Sequence, residues 1–163
     1  MFLIQYDEPE STHTLAATFF SSRFRMDNMK AFTLVLRVLF GAFFVVAGVT
    51  HFTNRDFFTA IVPPYLPWKE MLVYVSGVAE IALGLVLMVP ATTRIAAWGL
   101  IALLIAVFPA NLHMAMNPQL YPDTPRAALL IRLPLQGVLV AVAYWFTRGA
   151  GVAAKSDTLE VRQ

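Results

Sequence analysis

Five polar side chains stand inside stretches that are otherwise apolar: His51, Glu80, Asn111, Arg132 and Gln136. They bring together an imidazole, a carboxylate, a guanidinium and two amides. Such a set can bind a polar headgroup, hold or pass a proton, or tie helices to one another. In hydrocarbon an ionisable group left unpaired costs about 3 kcal/mol or more. Residues of this kind therefore turn toward a partner or toward water, and they mark a binding-site hypothesis. Arg37 and His113 form a second rank, Arg37 as an outlier at the opposite depth and His113 near an interface.

The surroundings give these residues their meaning. Hydrophobic residues make up 58% of the chain and charged residues 13%, against about 25% charged in soluble domains. Four apolar runs, 31–52, 71–89, 95–116 and 127–146, match the roughly 20 residues that cross a bilayer. Each must be helical, because lipid offers no water to backbone amides and no barrel pattern is present. The expected fold class is all-α, an integral membrane four-helix bundle over 30–147. A polar tail, 1–29, precedes it, and a flexible C-terminal tail, 148–163, follows. The N-terminal tail reads either as an amphipathic stretch over 15–24 or as a mis-assigned start, with Met26 or Met29 as the true beginning. It does not read as a signal peptide, since its start is acidic.

Lys and Arg outside the spans set the orientation. Arg23, Arg25, Lys30, Arg94, Arg148, Lys155 and Arg162 fall on one side, and Arg55, Lys69 and Arg126 on the other. The positive-inside rule then places both termini in the cytoplasm. Trp68, Tyr65 and Tyr121 are expected at the outer interface, and Trp98 and Trp145 at the inner one. The Pro-rich outer loop after the first span, "TNRDFFTAIVPPYLPWKE", is expected to form a short helix and then an extended segment. It either caps the bundle or simply connects two spans.

Counted along each span at about 1.5 Å per residue, the five polar residues fall mostly in the outer half. Glu80 and Arg132 pair most naturally, being opposite in charge and close in depth. Arg132 and Gln136, four apart, share a helix face. Pro109 cannot donate to the carbonyl of Ile105, so the third span loosens there. Asn111 then serves either the freed backbone or a neighbouring helix. Ala102, Ala106 and Ala110 form a small stripe suited to close packing.

These residues resemble the DoxX-like family of small four-helix membrane proteins. The likeness rests on Arg37-x-x-x-Gly41, Gly48-x-x-His51-Phe52, Gly77-x-x-Glu80 with Gly84, "FPANLHMA", and "RLPLQ" from Arg132 to Gln136. It covers about 30–146. The resemblance implies a bundle in the bacterial cytoplasmic membrane and a link to membrane oxidoreductase systems. Two functions follow as alternatives. One is a membrane subunit of a redox-linked system, partnered by a soluble or membrane oxidoreductase. It would bind a quinone or small molecule among His51, Glu80, Asn111, Arg132 and Gln136. The other is a non-catalytic assembly partner in which Glu80 and Arg132 form a structural tie. A transporter is disfavoured, because four helices are few and no inverted repeat shows. Haem on His51 and His113 is disfavoured because both lie too near the surface. With no cysteine in the chain, thiol redox chemistry is excluded within it. No metal site and no nucleic-acid partner are expected. A homo-oligomer is compatible with the pattern.

Overall fold

The computed structural model describes residues 10–122 and 124–160, with side chains over 23–122 and 124–148. The side chains of most of the expected amphipathic stretch, and those of Lys155 and Arg162, lie outside the described residues. Five helices and one 3-10 turn account for the fold, and no strand occurs among the described residues. The helices are α1 (Glu10–Thr53), α2 (Arg55–Ile61), α3 (Lys69–Met88), α4 (Thr93–Met116) and α5 (Arg126–Glu160). Four segments are long and apolar enough to cross a membrane: Arg23–Thr53, Lys69–Met88, Thr93–Met116 and Arg126–Arg148.

The chain divides into two compact units, Met1–Arg37 and Val38–Gln163. In the first, α1 already begins at Glu10, where a polar tail was expected. No glycine or proline stands between Glu10 and Arg37, so nothing in the sequence breaks the helix. Thr33 bonds back to the Met29 carbonyl at 2.8 Å. At the other end of the chain α5 runs to Glu160, through residues expected as a C-terminal tail. The run Ala150 to Lys155 contains no proline, and its alanines and lysine favour the helix against the cost of Gly151.

In the second unit, four helices close a ring. The end of α1 meets α3 through facing glycines. A β-carbon at Gly41 would lie 2.6 Å from the Gly84 carbonyl oxygen, and one at Gly48 2.6 Å from that of Gly77. Both pairs are seven residues apart, two helical turns, so the helices cross antiparallel with backbone against backbone. Next, α3 meets α4, where Gly99 accommodates Leu83. The turn between them is fastened by hydroxyls. Thr92 donates to the Val86 carbonyl at 2.8 Å, and Thr93 to the Val89 carbonyl at 2.9 Å. These bonds satisfy carbonyls that the end of α3 leaves free. Then α4 packs on α5, and α5 returns to α1 through Phe146 and Phe40, whose ring centres are 5.8 Å apart.

The buried face of α4 is Ala97, Leu100, Ile101 and Leu104, a 3.6-residue repeat. Of the Ala102, Ala106 and Ala110 stripe expected to pack, Ala102 and Ala106 are exposed and Ala110 is half-buried. Leucines filling the ring centre outweigh a small-residue groove, because each buries more apolar area.

The loop after α1 folds back onto the bundle. Val62 is extended, as the residue before a proline must be, and it ends α2. Ile61, Val62 and Pro63 are buried. Ile61 joins Met114, Tyr121 and Leu129 in one apolar cluster, with Phe57 and Phe58 against it. Tyr121, expected in an aromatic belt, is buried there and donates its hydroxyl to the Ala60 carbonyl at 3.3 Å. Its burial raises the phenol above its usual pKa. The loop is therefore a cap, not a plain connector. Trp68, at the start of α3, takes a left-handed conformation with φ of 51°. That costs a non-glycine residue about 1 kcal/mol or more.

Candidate functional site

The crossing of α1 and α3 sets the geometry of the site. Gly48 stands three residues before His51, and Gly77 three before Glu80, so each glycine lies on the same helix face as its polar neighbour. A β-carbon at Gly77 would come 2.8 Å from His51 Cβ, and one at Gly48 3.0 Å from Glu80 Cβ. Each helix thus lays its polar residue over the other's glycine. The result is a close pair: His51 Nδ1 lies 3.3 Å from Glu80 Oε2, with both side chains about 11% exposed.

The pair is incomplete as a hydrogen bond. His51 Nδ1 also lies 3.0 Å from the Ala47 carbonyl on its own helix. An Nδ1–H directed at that carbonyl leaves little for the carboxyl, and Glu80 Oε2 is buried with no hydrogen-bond partner. Phe58 from α2 stacks on the imidazole, with 3.9 Å between ring centres and planes at 22°. The capping helix therefore seals the dyad from the loop side.

Arg132 does not meet Glu80. The ion pairs among the described residues are His51 with Glu80 and Arg55 with Asp56, so the expected Glu80–Arg132 tie is replaced by a Glu80–His51 pair. Arg132 is half-buried. Its guanidinium lies over the Phe57 ring at 5.5 Å, and its Nη1 points at Met114 Sδ at 3.8 Å. Phe57 meets Phe58 edge to face at 5.5 Å. Two aromatic rings thus link the arginine to the dyad. The physical reason is the cap. From Glu80 to the start of α3 is eleven residues, but from His51 to the end of α1 only two, so α3 outruns α1 by about 13 Å. The phenylalanines of α2 occupy the space that remains.

Asn111 and Gln136 form a second polar group. Asn111 Nδ2 donates to Gln136 Oε1 at 3.1 Å, and Gln136 Nε2 donates to the Leu104 carbonyl. Helix α4 continues through Pro109, and Gln136 supplies a cross-helix bond one residue from the carbonyl that the proline frees. The two amides engage each other and the backbone, so they serve as a tie between α4 and α5. Gln136→Leu is expected to lower stability by about 1 kcal/mol, the scale of intramembrane polar contacts, with little effect on the His51–Glu80 pair. Thermal unfolding in detergent measures it. Among the described residues the His113 ring makes one long side-chain contact, its Nδ1 lying 3.4 Å from the Tyr121 hydroxyl. Arg37 closes the first unit, whereas the other six residues belong to the second.

Sequence reasoning missed Phe57 and Phe58; it read Gly77 and Gly84 as room for close helix approach, which the structure shows, but not that Gly41 and Gly48 face them. The signal for the rings was the apolar "DFFTAI" inside a loop. The signal for the glycines was the equal seven-residue spacing of Gly41 to Gly48 and Gly77 to Gly84.

Residues 40–147 match a family described as a domain of unknown function (DUF8561), and the chain belongs to that family. No curated protein and no solved structure is matched by the chain. The matched range contains both members of the dyad, both amides and Arg132.

Proposed function

We propose that this is a multi-pass membrane protein of the bacterial cytoplasmic membrane with both termini inside. In this reading it is a DoxX-like subunit of a redox-linked system that binds a quinone headgroup at His51 and Glu80. The observation that carries the reading is Glu80 Oε2, buried without a hydrogen bond beside His51. An unsatisfied buried polar atom costs about 1–3 kcal/mol, and a ligand group can remove that cost. A quinol hydroxyl donates to a carboxylate oxygen, and a quinone carbonyl accepts from a protonated carboxyl. One acidic side chain therefore serves both forms of such a ligand. The imidazole alongside can exchange a proton with it. The excess of Lys and Arg at one set of helix ends supports the orientation. The resemblance in the "GVTHF", "GVAE" and "RLPLQ" segments supports the redox association.

The test is mass spectrometry with an absorption spectrum on protein purified gently from native membranes. The expected result is a quinone in near-stoichiometric amount, lost from Glu80→Gln and kept in Gln136→Leu, with both variants folded. Protein free of any quinone, whose melting temperature is also unmoved by added short-chain quinone, would refute the binding role. It would favour an assembly partner in which the dyad fixes helix register.

A further inference from the structure

At the end of the bundle opposite the dyad, two helices bring like groups together. On α4, Arg94 and Trp98 are four residues apart; on α5, Tyr144 and Arg148 are four apart. With Thr147 they line one cleft of about 330 Å³. Arg148 donates to the Tyr144 hydroxyl at 2.5 Å and lies over the Tyr144 ring at 4.7 Å. Trp98 meets that same ring edge to face at 6.3 Å. The aromatic rings thus orient the Arg148 guanidinium. Neither arginine has a carboxylate within ion-pair distance among the described residues. The cleft also sits at the first turn of α4, whose N-cap Thr92 makes no side-chain capping bond. Thr92 and Thr93 direct their hydroxyls to carbonyls of α3 and its turn instead, so the amide dipoles of that turn add to the positive potential.

The geometry points to a binding site for the phosphodiester headgroup of an anionic phospholipid, held by Arg94 and Arg148 between Trp98 and Tyr144. A free guanidinium pairs with a phosphate through two parallel hydrogen bonds. Indole and phenol rings favour the level where headgroups meet acyl chains. Trp98, Tyr144 and Trp145 are about half exposed there. The cleft lies where two of the apolar spans end, at Thr93 and Arg148. The inference rests on the membrane placement proposed above but not on quinone binding. In that orientation the site faces the cytoplasmic leaflet, whose anionic lipids attract basic clusters.

Native mass spectrometry tests this on the full-length protein in mild detergent with added phosphatidylglycerol, phosphatidylcholine or inorganic phosphate. The wild type is expected to retain phosphatidylglycerol selectively. R94Q/R148Q is expected to lose about tenfold or more of that selectivity. The single changes R94Q and R148Q, each expected to lose part of it, give the same reading should the double variant be less stable. Equal retention of the two lipids by the wild type would overturn the assignment, as would unchanged selectivity in the variants. Displacement of the lipid by millimolar phosphate would mark a free-phosphate site instead. Recovery of the chain outside the membrane fraction would remove the membrane placement itself, a result separate from any lipid preference.

Discussion

Gly48→Ala and Gly77→Ala are each expected to destabilise the detergent-solubilised protein by about 1–3 kcal/mol, the cost of overpacking a tight contact. Gly137→Ala, by contrast, is expected to stabilise it by about 0.5 kcal/mol. The chemical change is the same in all three: one methyl group, added inside a helix. Alanine loses less backbone entropy than glycine on forming a helix, so the intrinsic effect is favourable everywhere. What differs is the space. Nothing lies within 4 Å of a β-carbon at Gly137. At Gly48 the new carbon would meet the Gly77 carbonyl oxygen at 2.6 Å, and at Gly77 it would meet His51 Cβ at 2.8 Å. The carbonyl is backbone and cannot rotate aside, so the helices must separate. Separation also pulls His51 from Glu80, and the same variants should lose any ligand held by the pair. Thermal or denaturant unfolding of the three variants reads the sign directly. A neutral Gly48→Ala would mean that α1 and α3 do not cross as described.

The same crossing divides what the sequence makes legible from what it hides. Hydropathy placed the second and third spans at 71–89 and 95–116, and α3 and α4 run Lys69–Met88 and Thr93–Met116. Span limits are legible because twenty apolar residues in a row have few other uses. The Asn111 contact to a neighbouring helix was one of two roles open to it, and the structure selects it through Gln136. The partner of Glu80 was not legible. Depth was counted from the end of each residue's own span, which treats all ends as level. They are not level: α1 stops about 13 Å short of α3, and α2 folds into the gap. Counted from a common level, His51 lies beside Glu80, while Phe57 and Phe58 lie over the dyad and under Arg132. The loop's apolar content hinted at a cap, but residue counts could not give its height.

A double-mutant cycle separates the two pairings. His51→Ala and Glu80→Leu are expected to couple by about 1–2 kcal/mol, at the upper end for polar contacts within membranes. Glu80→Leu and Arg132→Met are expected to be additive within about 0.5 kcal/mol, as for sites that share no partner. The single changes should differ as well. His51→Ala strands a buried carboxyl that already lacks one hydrogen bond, and it removes the ring on which Phe58 stacks. It should therefore cost more than Glu80→Leu, which replaces an incompletely satisfied group with an apolar one. A stabilised Glu80→Leu protein would be informative in its own right. A residue that makes the fold less stable while buried at a close helix crossing would point to a use in binding. Strong coupling to Arg132, with none to His51, would restore the pairing read from depth alone. It would require α2 to leave the space between them.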